Sequence, residues 1–221
     1  MHEGELQKQI YHRRFEADNG FRENMYKVLC TEVFQKYIPE ESTVLEIGAG
    51  YCEFINNISA RRKIALDVNP DIKMFARDTV QVIIGSSTQM RQIMDASIDL
   101  VFANNLFEHL KKEDILKTIA EVHRILRDNG KFLILQPNIR FCYKDYWMFF
   151  DHISPLDDRS LCEALELRGF RILMCNPRFL PYTTKSKLPK SVSLLRLYLK
   201  LPFIQKLIGK QALILSEKYI I

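Results

Sequence analysis

The sequence predicts an α/β chain built on a doubly wound, mostly parallel seven-stranded sheet with helices on both faces, and three observations carry that expectation. An apolar run, Val44-Leu45-Glu46-Ile47, ends directly in Gly48-Ala49-Gly50. Asp67 closes a second such run 21 residues after Glu46. Strand-like segments near 43–47, 63–67, 80–84, 98–103 and 131–136 alternate with helical stretches, the pattern of parallel strands joined by crossovers.

Ahead of the first strand, Phe21, Met25, Val28, Leu29, Val33, Phe34 and Tyr37 fall at helical spacing and stop before Pro39, which predicts one helix over 21–37. Asp128-Asn129-Gly130 supplies a turn into the fifth strand. A helix over Arg159–Leu167 closes at Gly169, as helices commonly do on glycine. Phe170–Cys175 then reads as the sixth strand and Ala212–Lys218 as the seventh. This divides the chain into an N-terminal helical cap (1–40), a core (41–177 with 212–221) and an insertion (178–211).

Composition narrows the class. With 47% hydrophobic residues among 221, the chain suits a single buried core. The five cysteines, at 30, 52, 142, 162 and 175, form no C-x-x-C pair, and no histidines cluster at ligand spacing; reduced cytosolic thiols and no metal are expected. No apolar run near the N-terminus reads as a secretion signal, and none reaches the ~20 residues of a membrane span.

The glycine motif has a physical logic. A parallel strand must turn sharply into the next element, and glycines let backbone N–H groups approach a ligand with no Cβ in the way. An acid ending the next strand is placed to accept two ribose hydroxyls. A pyrophosphate fingerprint wants G-x-G-x-x-G, but the third glycine position is Glu53, which repels an anion, so a nicotinamide dinucleotide is disfavoured. Glu46, two residues before the first glycine, instead suits a cationic ligand such as S-adenosylmethionine.

From these residues the chain resembles the class I S-adenosylmethionine-dependent methyltransferases, whose first motif is an acid, one residue and G-x-G. Ile64-Ala65-Leu66-Asp67-Val68-Asn69-Pro70 is similar to the family's ribose strand. Ser97 to Leu110 is similar to the fourth strand and its loop, and Glu121 to Lys131 to the helix and turn before the fifth. The resemblance covers roughly residues 40–177. It implies a Rossmann-like fold with an antiparallel last strand, S-adenosyl-L-methionine as cofactor, and Glu46, Gly48, Gly50, Asp67, Val68, Ser86 and Asn104 as its contacts, with Tyr11 and Phe15 covering it. Cys52 departs from the family's usual third small residue, and Gly85-Ser86-Ser87-Thr88 stands where many relatives carry an acid.

Chemistry belongs at the carboxyl ends of the strands, in Asn104–His109 and the aromatic segment from Pro137 to Pro155. Asn104-Asn105-Leu106-Phe107 lacks the proline of nucleobase N-methylating relatives, so nucleic acid is not the expected partner. For a hydroxyl acceptor a base near neutral pKa helps remove the proton. His152, oriented by Asp151, is the first candidate and His109 the second; each also reads as a packing histidine.

The insertion holds eight of the 32 Lys and Arg, leaving 24 against 27 acidic residues elsewhere, and no Asp or Glu lies between Glu166 and Glu217. Between 191 and 201 only Ser193, Arg196 and Lys200 form a polar stripe, and Pro202 breaks the helix before Phe203, Ile204, Leu207 and Ile208. Two readings stand: a lid or homodimer face folded over the sheet, or membrane-surface contact through 191–210 with the lysines toward anionic headgroups. The aromatic segment, the Leu180–Ser186 stretch and this insertion together resemble a bacterial subgroup acting in surface-glycan or lipid-linked sugar pathways. The resemblance implies O-methylation of a small molecule or lipid-linked acceptor, in the cytoplasm or at the inner membrane face. A non-catalytic protein that binds the cofactor and tethers or regulates a glycan-assembly complex is the alternative.

Overall fold

The computed structural model describes residues 19–182 and 191–219; Tyr11 and Phe15, and Lys185, Lys187 and Lys190 of the insertion, lie outside them. Seven strands form one sheet: β1 (Thr43–Ile47), β2 (Arg62–Asp67), β3 (Val80–Ile84), β4 (Ile98–Asn104), β5 (Leu126–Pro137), β6 (Phe170–Leu180) and β7 (Gln211–Lys218). Their order is β3-β2-β1-β4-β5-β7-β6. β1 pairs in parallel with both β2 and β4, β2 with β3 and β4 with β5, whereas β7 runs antiparallel to both its neighbours. The chain therefore builds outward from β1 on one side, returns, and continues from β4 on the other. That reversal opens a crevice beyond the carboxyl ends of β1 and β4.

Alternation along the strands assigns the two faces. Val44, Ala65, Leu100, Phe102, Leu133, Leu135, Leu213 and Leu215 point to one side, where α1 (Asn19–Leu29) covers them. Leu45, Ile47, Leu66, Val101, Ala103, Phe132 and Ile134 point to the other, under α2 (Lys112–Ile125) and α4 (Asp158–Glu166). α3 (Ile139–Tyr146) caps the carboxyl edge beside Tyr182. Phe54 stacks on Phe102 with ring centroids 3.9 Å apart, and Phe34 packs on both.

Several elements differ from the sequence expectation. The single helix expected over 21–37 is α1 followed by a wide π turn at Cys30–Phe34 and a 3-10 turn at Gln35–Tyr37. Thr31 Oγ1 donates to the Lys27 carbonyl at 2.8 Å, a back-bond of the kind that bends helices. The helices expected after β1 and β3 are turns, and only a 3-10 turn, Pro70–Met74, follows β2. Between β1 and β2, Ile55 gives its N–H to the Glu46 carboxylate at 3.0 Å and Asn57 binds the Glu53 carbonyl at 2.8 Å, taking backbone groups that a helix would use. Asp128-Asn129-Gly130 is a bulge inside β5 rather than a turn before it: pairing with β4 holds at Leu126 and resumes at Lys131, with Asn129 at φ +61°. β6 runs five residues past Cys175, to Leu180.

The insertion folds onto the sheet. α5 (Val192–Leu199) and α6 (Pro202–Ile208) place Leu195, Tyr198, Leu199, Ile204 and Ile208 against the α1 face. Tyr198 donates to the Phe179 carbonyl at 2.8 Å, Asn176 to Gln205 at 3.1 Å, Arg178 to the Gly209 carbonyl at 2.9 Å and Arg196 to Glu32 at 2.8 Å. A Cβ added at Gly209 would lie 2.0 Å from the Arg178 carbonyl oxygen, a backbone atom unable to move aside alone. Gly209→Ala is therefore expected to destabilise the protein by about 1–3 kcal/mol through overpacking, read as a lower denaturant midpoint at unchanged slope.

Candidate functional site

β1 is buried along its whole length and bonded on both sides, so whatever leaves its carboxyl end is rigidly placed. Gly48 follows at φ +64°, and a Cβ there would sit 2.9 Å from Leu106 of the loop after β4. Gly50 (φ +49°) and Cys52 (φ +58°) continue the left-handed pattern. Cys52 thus stands, fully buried, in a conformation that glycine adopts without a Cβ penalty.

Two acids hold this loop. Asp67 accepts from the Gly50 N–H through one oxygen and from the Asn69 N–H through the other, each at 2.8 Å, so the carboxylate expected to meet the ribose is oriented by the glycine turn. Glu46 is 3% exposed. Burial pushes its carboxyl well above the ordinary carboxylate range, opposed by the Ile55 bond and reinforced by the charges of Glu53 and Asp67. Burial also raises Asp67, against its backbone bonds. Glu53 is not a bare charge: Arg22 on α1 donates to it at 2.5 Å, with both side chains largely buried.

The end of β4 forms the facing wall. Asn104 donates to the Tyr26 hydroxyl at 2.5 Å, and the buried side-chain oxygens of Asn104 and Asn105 have no hydrogen-bond partner among the described residues. By register Ile47 pairs with Ala103, which brings Asn104 level with Gly48. Two unfilled acceptors beside acidic Glu46 and Asp67 fit a ligand that carries a cation and N–H donors, as the methionine end of S-adenosylmethionine does. Val68 is exposed just past β2. Ser86 bonds Thr88 at 2.8 Å, while Ser87 is tied to Thr118 at 3.0 Å in the interior.

A second cluster lies past Asn104. Glu108, 1% exposed, accepts from Gln136 Nε2 at 3.0 Å, and its backbone carbonyl accepts from Ile153 at 2.7 Å and Ser154 at 3.1 Å. These bonds lace the β4 loop to the segment after α3. His109 Nδ1 lies 3.1 Å from the Asp151 carbonyl and 3.3 Å from its carboxylate. The His152 ring packs against His109 at 5.1 Å and Tyr146 at 4.6 Å. Asp151, expected to orient His152, thus holds His109. Tyr143, Trp147, Met148, Phe150 and Ile153 stand exposed around the same segment, Phe150 at 88%.

The structure gathers Glu46, Gly48, Gly50, Asp67 and Asn104 into one crevice and His109 and His152 into a second cluster beyond the same strand ends. Tyr26, Arg22, Asn105 and Gln136 were not anticipated. Tyr26 sits within the helical stripe of α1, and that was the one signal available for it.

These features agree with what known proteins show. The methyltransferase domain family matches residues 21–174. The chain belongs to that family. A SAM-dependent methyltransferase of Archaeoglobus fulgidus is similar in structure, at TM-score 0.67 and 20% identity over 89% of this chain and 94% of that one. One from Thermotoga maritima matches at TM-score 0.63 and 18% identity, over 95% of this chain and 98% of its own. The uncharacterized protein MJ1252 of Methanocaldococcus jannaschii is 24% identical over 134 residues, 60% of this chain. The chain spans about half the length of that curated relative, since the match covers 52% of it.

A carboxyl whose folded pKa is raised favours the protonated native state. Stability from Glu46 is therefore fully present below its unfolded pKa and is lost as pH rises through the raised value. Glu46→Gln is expected to flatten that decline in the ligand-free protein and to leave it more stable than wild type at alkaline pH. It should also weaken S-adenosylhomocysteine binding about tenfold or more, the loss of a charge-assisted bond, in thermal scans and calorimetry run side by side.

Proposed function

We propose that this protein methylates a hydroxyl oxygen of a small or lipid-linked acceptor, with a sugar of cell-envelope glycan assembly as the acceptor class. The observation that carries the reading is His109. Both groups facing its Nδ1 are acceptors, so Nδ1 holds the proton and Nε2 presents a lone pair. A lone pair fixed in this way is suited to taking the proton of a hydroxyl as its oxygen attacks the methyl carbon. In this reading Glu46, Gly48, Gly50, Asp67, Val68, Ser86 and Asn104 bind the cofactor. The chain's own part in catalysis is to orient the two reactants in line, exclude water and receive the proton, with His152 packed on His109 as the second candidate base.

The apolar surface supports an acceptor with a lipid portion. Trp147, Met148, Phe150 and Ile153 flank the histidines, and α5 and α6 expose Leu194, Leu197, Phe203 and Leu207 beside Arg196, Lys200 and Lys206. Among the described residues no helix is long and apolar enough to cross a membrane. Peripheral contact at the inner membrane face is the placement this surface favours, and a homodimer using the same surface is the competing arrangement.

His109→Gln is expected to lower kcat for a hydroxyl acceptor by ~10²–10⁴-fold while S-adenosylhomocysteine binding persists; unchanged turnover across pH 6–9 would remove the base assignment. In vesicle flotation, anionic vesicles are expected to carry the protein and neutral ones to leave it behind, with Leu197→Glu combined with Phe203→Glu abolishing the difference. A doubled mass in light scattering that the same pair of substitutions halves would favour the dimer.

A further inference from the structure

We propose that Glu108, His109 and His152 form a binding site for one divalent transition-metal ion, zinc in its chemistry, beside the position where the acceptor hydroxyl is bound. The proposal rests on the reading of this cluster as the acceptor side of the site and deepens it. The spacing of histidines along the sequence gave no reason to expect a metal. Folding brings His152 to Glu108 and His109 from 43 residues further along the chain.

One ligand atom from each of the three residues lies within 4.8 Å of the other two. His109 Nε2 faces Glu108 Oε1 across 3.8 Å. That gap is too long for a direct hydrogen bond, and a cation between the nitrogen and the carboxylate oxygen would bond both. Four-coordinate zinc with bonds of about 2.0–2.1 Å sets its ligands roughly 3.3–3.5 Å apart, so the gap closes by a few tenths of an ångström.

The neighbours of these ligands are arranged as metal sites require. Asp151 fixes the tautomer and ring of His109, the carboxylate–histidine arrangement typical behind a bound metal. Gln136 donates to Glu108 Oε2 at 3.0 Å and leaves Oε1 for the ion. Two imidazoles and one carboxylate form the nitrogen and oxygen set of a borderline ion, whereas magnesium and calcium prefer oxygen alone. Three protein ligands leave a coordination position open, as catalytic rather than structural zinc sites do.

Occupied by the acceptor hydroxyl, that position would lower the hydroxyl pKa. The proton leaves to water, the oxygen lone pair forms the O–CH3 bond, and the S–CH3 bond breaks with its electron pair remaining on sulfur as the thioether. His109 would then act as a ligand and not as the base.

The test uses untagged full-length protein, stripped with chelator and titrated with Zn2+ and separately with Co2+. One equivalent of Zn2+ is expected to bind with micromolar affinity or tighter. Co2+ should give visible d–d bands without thiolate charge transfer, which separates this site from exposed Cys175. Glu108→Gln, His109→Gln and His152→Gln should each abolish the stoichiometric step, and Asp151→Asn should weaken it about 10–100-fold. S-adenosylhomocysteine binding, measured in the same calorimeter, should persist. Absence of a one-to-one step in the wild type, or a step that none of the three ligand substitutions changes, overturns the proposal without recourse to any variant's folding. Methyl transfer that survives chelation would likewise overturn the metal's role and leave the methyltransferase reading standing; a bound metal with no transfer to any hydroxyl acceptor would do the reverse.

Discussion

The site depends on the double pairing of β1. Bonded to β2 on one side and β4 on the other, the strand cannot shift in register without turning Glu46 from the α1 face to the α2 face. Glu46, Asp67 and Asn104 converge because each ends or nearly ends a strand whose register against β1 is fixed. Their convergence is a property of the sheet rather than of the loops. The loops add the left-handed turns at 48, 50 and 52 that bring backbone N–H groups in toward Asp67.

Electrostatics then separates the two halves of the crevice. On the β1 and β2 side, buried carboxylates outnumber buried cations among the described residues, with Arg22 committed to Glu53; a positively charged ligand relieves Glu46 of burial that otherwise opposes its ionisation. On the far side of β4, two histidines stand with Glu108 and Asp151, and exposed aromatic and aliphatic side chains surround them. The cofactor and acceptor proposed above would occupy these halves respectively.

The strands were legible in the sequence because a buried parallel strand leaves a short apolar run bounded by turn residues, and all seven stand close to their expected places. The connections were less legible. Thr31 and Asn57 bind backbone groups four residues back, and such side-chain competition leaves no periodic trace. Glu46, Gly48, Gly50 and Asp67 were legible since their spacing is dictated by one strand–turn–strand unit. The pairing of His109 with Asp151, and of Arg22 with Glu53, was not, because each joins segments more than 30 residues apart through tertiary packing alone. The apolar surface of α5 was divided in a way no stripe analysis resolves: Leu195 and Leu199 go inward while Leu194 and Leu197 remain exposed, as the choice depends on where α1 lies.

The place of β7 has a consequence for how the chain can be shortened. The region that matches the family ends at residue 174, yet β7 lies between β5 and β6 and is the last strand to be made. A chain cut there would retain β5 with an unpaired edge inside the former sheet, and Phe170–Met174 of β6 with no neighbour at all. Exposed edges of that kind pair with other molecules. During synthesis the same half-finished state must persist until residue 218 emerges, so the protein carries a window of aggregation risk that closes only when its last strand slides between two that are already present.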